Sequence, residues 1–290
     1  MKKIAIVTDD NSGITPEEAK QLGIYIIKMP VLIDGTEYYE YDNLTSEQFY
    51  KFLEEDRDVK TSQPSPGNVM NLWENLLKDY DEIVHIPMSS GLSESCNTAK
   101  SLAENFDGNV FVVDNHRISV TLKRSVLDAI NLRNKGYDGA AIKETLESTK
   151  GDSSIYIMVD TLKYLKKGGR VTPAGAALGA TFHIKPILQI QGGKLDAKAK
   201  VIGVKKAKLK LVEFAKEDLI KRFKYLTNKG KYEIEIAYTY DKSLAEDLIK
   251  LLQEQIPDLP EIASVIPLSL SVATHIGPGA MAVAISKIIH

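Results

Sequence analysis

The sequence is short of several things that would narrow its chemistry. Its 290 residues contain one cysteine, Cys96, and one tryptophan. A lone cysteine allows no disulfide within the chain and no cysteine-based metal site, and it fits a reducing compartment. No HExxH pair and no His/Asp cluster at ligand spacing is present, so no metal site is expected. A G-x-x-x-x-G-K-[ST] loop is missing, as is G-x-G-x-x-G opening a helix. No apolar run approaches the roughly 20 residues of a membrane span. The opening MKKIAIVTDD has an apolar stretch at 4–7 that is too short for a signal peptide, and acids follow at once. It reads as a buried strand of a cytoplasmic protein. One-sided charge is lacking too: 37 Lys and Arg stand against 39 Asp and Glu, a net charge of −2. That balance gives no field suited to nucleic acid. Basic residues gather only locally, at 163–170 and 194–210.

What is present is an ordinary globular composition, 43% hydrophobic and 26% charged, in a chain long enough for a large core. The first half alternates strand and helix. Strands are expected at 3–7, 82–86 and 110–114, and a hairpin over 24–41 turns at Asp34-Gly35. Helices are expected at 15–22, with Thr15 as N-cap and Pro16 in the first turn, and at 45–55, 69–77, 94–105, 119–135 and 139–148. This alternation predicts a mostly parallel, doubly wound sheet whose ligands sit beyond the carboxyl ends of its strands. The second half reads as a mixed α/β unit. Strands are expected at 154–159, 185–191, 232–240 and 263–268, and helices at 161–166, 209–228 and 244–255, with an Ala/Gly-rich helix at 174–180. The fold class is therefore α/β in two domains, 1–155 and 156–290.

Hydroxyls concentrate in two loops, Thr61-Ser62-Gln63-Pro64-Ser65 and Ser89-Ser90-Gly91-Leu92-Ser93. Each precedes a helix, where Ser or Thr commonly serves only as a cap. A helix start also offers free N–H groups to a carboxylate or phosphate. Gly91-Leu92-Ser93-Glu94-Ser95 is one glycine short of a hydrolase nucleophile elbow. Ser93 is thus either a nucleophile or a hydroxyl that holds an anion. As a nucleophile it pairs with His275, with Asp160, Asp196 or Asp241 as third member. His275 precedes the tight turn Gly277-Pro278-Gly279 and is either a ligand contact or a buried histidine satisfied by a carbonyl. His85 and His290 read as structural or free; His116 and His183 are ambiguous. Gly168-Gly169-Arg170 is a helix cap, or an arginine displayed for a phosphate or a partner's carboxylate.

Seven segments in order resemble the DegV family, which includes the fatty-acid-binding FakB proteins. They are Ile6-Val7-Thr8-Asp9, Thr61-Ser62-Gln63-Pro64-Ser65, Ser89 to Ser93, Val113-Asp114, Leu165 to Val171, Lys185-Pro186-Ile187-Leu188 and His275 to Gly279. The resemblance spans nearly the whole chain. It implies two α/β domains clasping a long-chain fatty acid, with the carboxylate held by Thr61, Ser62, Ser93 and His275. It further implies an apolar acyl tunnel in the second domain, to which Phe182, Ile184 and Leu188 are assigned, and no cofactor. The bound acid is offered to a separate fatty acid kinase subunit, DhaK-like, that makes acyl phosphate from ATP. Arg170 resembles the arginine tied to that docking. Transient membrane contact is a further expectation, and nucleic acid is not expected. The sequence departs from the family at Asp10, where Ser is usual, at Gly13, where Asp is usual, and at Glu94 and Cys96. The other readings are a serine acyl hydrolase and a sugar- or phosphate-handling domain.

Overall fold

The computed structural model describes residues 2–170, 184–224, 230–256 and 258–289. Three sheets organise it. The first has four parallel strands in the order β2 (Tyr25–Ile27), β1 (Ile4–Asp9), β6 (Glu82–Ile86), β7 (Val110–Val112). Every residue of β1 and β6 is buried, as in a parallel strand covered on both faces. Successive side chains part to opposite sides. Ile4 and Ile6 join a core with α5 (Ser119–Asn134) and α6 (Gly139–Ser148). Ala5 and Val7 join another with α3 (Pro66–Leu76) and α4 (Ser95–Ala103). The doubly wound prediction is met.

The second sheet has six strands: β10 (Leu195–Ile202), β9 (Ile184–Ile190), β8 (Ser153–Met158), β13 (Met281–Lys287), β11 (Tyr232–Tyr238) and β12 (Ile262–Pro267). All its pairs are antiparallel except β11–β12. One face packs on α8 (Val204–Glu217) and α9 (Ser243–Gln255). The other face shares its core with α5, so α5 lies between the two large sheets. A small antiparallel sheet, β4 (Thr36–Tyr38), β3 (Val31–Ile33) and β5 (Val59–Thr61), packs on α2 (Ser46–Glu54) and α10 (Leu270–Ile276).

Local signals held where capping chemistry fixed them. Thr15 Oγ1 accepts from the Glu18 N–H at the start of α1 (Pro16–Leu22), and Thr45 forms a capping box with Gln48. Four expectations change. The apolar run 24–32 is not one strand: it divides at 28–30, around Pro30, between two sheets. Strand β10 lies where no strand was expected; Lys198 and Lys200 break its apolar pattern, as is usual on an edge strand. Short β5 was also missed. The helix expected at 209–228 is α8, starting earlier and closing with a π turn at Asp218–Arg222. The helix expected at 174–180 lies outside the described residues.

Candidate functional site

The carboxyl ends of β1 and β6 carry two loops that Asp9 joins. Its Oδ2 accepts from the Met88 N–H at 2.8 Å and its Oδ1 from the Asn11 N–H at 3.1 Å. Burial pushes this carboxyl up to about 6, against those hydrogen bonds. In the loop after β6, Ser89 Oγ donates to the Gly193 carbonyl at 2.8 Å. A Cβ on Gly91 would lie 2.3 Å from that same oxygen. Glycine is needed there because the loop presses on the β9–β10 turn. Ser93 Oγ accepts from the Ser95 N–H at 3.2 Å, which holds the hydroxyl at the start of α4.

The third contributor comes from the far end of the chain. His275, in the last turn of α10, places Nε2 at 2.8 Å from Thr61 Oγ1. Its Nδ1 is buried without a partner. Burial, and secondarily the Arg170 guanidinium, push the imidazole down to about 4, so it is neutral at pH 7. A Cβ on Gly168 would sit 2.1 Å from that Nδ1. The glycine before Arg170 therefore makes room for the imidazole.

These groups open on one cavity. Thr61, Ser62, Gln63, Ser93, Arg170 and His275 are among the residues that line it. The rest is mostly apolar, with Ile118 and Val120 near the start of α5, Ile155 and Ile157 of β8, and Ile190, Ala237 and Ala282 of neighbouring strands. The space it encloses, counted with its opening to solvent, is about 900 Å³.

The structure thus brings Thr61, Ser62, Ser93, His275 and Arg170 to one cavity. It treats the other expected residues differently. Leu188 is fully buried in the core, and on its strand the cavity wall is Ile190, two residues along the same face. Ile184 is half-buried at the start of β9. Phe182, His183 and His290 lie outside the described residues. His85 is buried in β6 with neither ring nitrogen bonded, and burial pushes it down to about 3. His116 lies 4.0 Å from Asp114 Oδ1. Glu94 is exposed and accepts from Asn97 Nδ2, so this extra acid points away from the cavity. Asp10 is buried, and its Oδ2 accepts from the Met29 N–H. Sequence reasoning missed Gln63 as a wall residue, along with Asn11 and Ser271; only Gln63 stood inside a recognised motif.

A hydrolytic triad needs a base that touches the nucleophile and a third group that orients the base. His275 has Thr61 as its hydrogen-bond partner, and no carboxylate meets its Nδ1. Asp160, Asp196 and Asp241 are all exposed, and Asp160 pairs with Lys185. Among the described residues no group of three or more His, Cys, Asp or Glu could hold a metal ion.

The family model described as "Uncharacterised protein, DegV family" matches residues 3–287. The chain belongs to the DegV family. A DegV domain-containing protein of Deinococcus radiodurans is 32% identical over 290 residues, covering 98% of this chain and 99% of its own. Among solved structures, a fatty-acid-binding DegV protein of Streptococcus agalactiae matches with a TM-score of 0.87 at 28% identity, covering 100% of both chains. The Thermus thermophilus structure, which concerns fatty acid binding of a DegV protein, matches with a TM-score of 0.85 at 28% identity, covering 99% of this chain and 100% of that one. The Bacillus subtilis DegV, a fatty acid binding protein, matches with a TM-score of 0.84 at 26% identity, covering 99% and 100%. The DegV fold expected from the motifs is thereby established, with its parallel and mixed sheets. No helix among the described residues is long and apolar enough to cross a membrane.

Proposed function

We propose that this DegV protein binds a long-chain fatty acid and presents its carboxylate to a partner kinase. The observation that carries the reading is the mostly apolar cavity with Thr61, Ser62, Ser93 and a neutral His275 on its wall. A buried carboxylate must be met by donors. Hydroxyls and an imidazole N–H supply them. In this reading Ser93 is a donor, the halves 1–155 and 156–290 act as two domains clasping the ligand, and no cofactor takes part.

The energetics suit a carrier. A sixteen-carbon acid buries about fifteen methylenes, a gross gain of roughly 11–12 kcal/mol at ~0.8 each. Lost translational and rotational freedom offsets about 4 kcal/mol or more. The remainder allows roughly micromolar or tighter binding. Release to a partner remains feasible at that strength.

The kinase step rests on the position of Arg170. It is exposed, it donates to the Gly168 carbonyl at 2.5 Å, and it lines both the cavity and an outer groove with Lys60, Lys163 and Lys167. We assign that groove to the DhaK-like fatty acid kinase subunit, in the cytoplasm. The test is ATP-dependent formation of acyl phosphate from protein-bound fatty acid and the purified kinase. Arg170→Ala should slow it at least about tenfold without loosening the ligand more than about twofold. An unchanged rate would remove Arg170 from the docking face.

A further inference from the structure

A second groove shares only Leu268 with the apolar cavity. It is bordered by the segment 40–48 and by the end of β11, and four tyrosines line it: Tyr41, Tyr50, Tyr238 and Tyr240. Tyr50 is buried, and the Tyr240 ring packs on it with 4.7 Å between centroids. Tyr41 and Tyr240 are 51% and 59% exposed, so both leave aromatic surface open to a ligand. Both hold left-handed backbone, with φ of 67° and 64°, which is uncommon for an aromatic residue.

The charged side chains that line this groove have one sign. Glu40 and Asp42 are among them, and no described Lys or Arg is. Asp42 is already paired with Lys28, which leaves Glu40. Its Oε2 accepts from the Leu270 N–H at 2.8 Å, and burial pushes its carboxyl up to about 7. A cation beside it favours the charged form. Tyrosine rings attract a cation as well, through the negative quadrupole of their faces.

The hydrogen-bonding groups decide what kind of cation fits. A primary ammonium leaving water needs about three acceptors for its N–H groups. The acceptors here are mostly taken. Asn43 Oδ1 accepts from the Tyr39 N–H at 2.7 Å, Thr45 Oγ1 from the Gln48 N–H at 3.2 Å, and Gln48 Oε1 from the Thr45 N–H at 3.0 Å. A metal ion finds no better set, because no group of three or more His, Cys, Asp or Glu among the described residues could hold one. A quaternary ammonium has no N–H to satisfy. It needs only aromatic faces and a negative charge.

We propose that this groove binds a small quaternary ammonium compound of the choline type, with Tyr41 and Tyr240 as aromatic faces and Glu40 as counter-ion. The site is independent of the fatty-acid reading.

The experiment is isothermal titration of the purified protein with choline and with 3,3-dimethylbutan-1-ol, in which carbon replaces the charged nitrogen. Choline should bind with a Kd of about 1 mM or tighter, and at least about tenfold more tightly than the neutral isostere. Tyr240→Leu keeps apolar bulk and removes the ring. Glu40→Gln removes the charge and keeps an acceptor for Leu270. Each should weaken choline binding by about fivefold or more. Equal affinity for choline and its isostere overturns the inference, and so does an absence of binding at about 10 mM choline. Variants that bind choline as the wild type does overturn it too. Adsorption to phosphatidylcholine vesicles without binding of free choline also overturns it, by assigning the groove to a lipid surface. The wild-type ratio of the two ligands decides even where a variant does not fold.

Discussion

Thr61 Oγ1 and His275 Nε2 lie 2.8 Å apart although 214 positions separate them in the chain. Thr61 ends β5 of the small sheet, and His275 lies in the last turn of α10, which packs on that sheet. The core under them fixes their spacing, so the pair is in place before a ligand arrives. Thr61→Val keeps the shape and removes the hydroxyl. Fatty acid retention should fall about tenfold, near 1.4 kcal/mol for one lost hydrogen bond to a charged group. A displacement titration checks this, and a change below about threefold would take Thr61 out of the site.

The His275 imidazole gives a pH signature. In the unfolded chain it titrates near 6.5, and in the fold near 4. Above pH 6.5 both forms are neutral and nothing is lost. As pH drops from 6.5 to 4 the unfolded chain takes up a proton that the fold refuses, so stability falls. Over that window the loss attributable to His275 is roughly 3 kcal/mol, taking ~1.4 per pKa unit. His275→Asn should show a shallower decline in unfolding free energy across the same window, measured by urea titration. Buried His85 acts in both proteins and cancels. Parallel pH curves for the two proteins would show that His275 is not buried as described.

Two adjacent glycines should respond differently to alanine. Gly168→Ala places a methyl 2.1 Å from His275 Nδ1 and must push the ring. Gly169 has open space around it but a φ of 65°, so alanine there meets only backbone strain, about 1 kcal/mol. Gly168→Ala should weaken ligand retention by an order of magnitude or so with a small change in Tm, whereas Gly169→Ala should lower Tm and spare retention. Equal effects on both readouts would contradict the geometry.

Cys96 is fully buried in the core beside α3, and burial pushes its thiol up to about 12. A thiol that stays protonated and enclosed does not react. A disulfide reagent should label it only at the rate of unfolding, so labelling should accelerate in urea in step with loss of the fold. Rapid labelling of the native protein would rule out this packing.

Much of the candidate site was legible because its residues sit in short polar motifs at strand ends and helix starts. Thr61, Ser62 and Ser93 stand in loops dense in hydroxyls, and His275 stands before Gly277-Pro278-Gly279. The cavity wall was not legible for the opposite reason. β8 is buried at every position, so alternation gives no hint of which face meets a ligand. Leu188 and Ile190 share one face of β9, yet only the second lines the cavity. Asn11 was hidden because its hydrogen-bond partners Ser269 and Ser271 lie about 260 residues away. β10 escaped notice because lysines on an edge strand erase the apolar pattern that marks a strand.

The most direct test of the carrier reading is mass spectrometry of the purified protein, native and then denatured, with released small molecules identified. The account predicts a bound mass that disappears on denaturation and is recovered as a long-chain fatty acid. A mass that survives denaturation and maps to Ser93 would contradict it and make that serine a nucleophile.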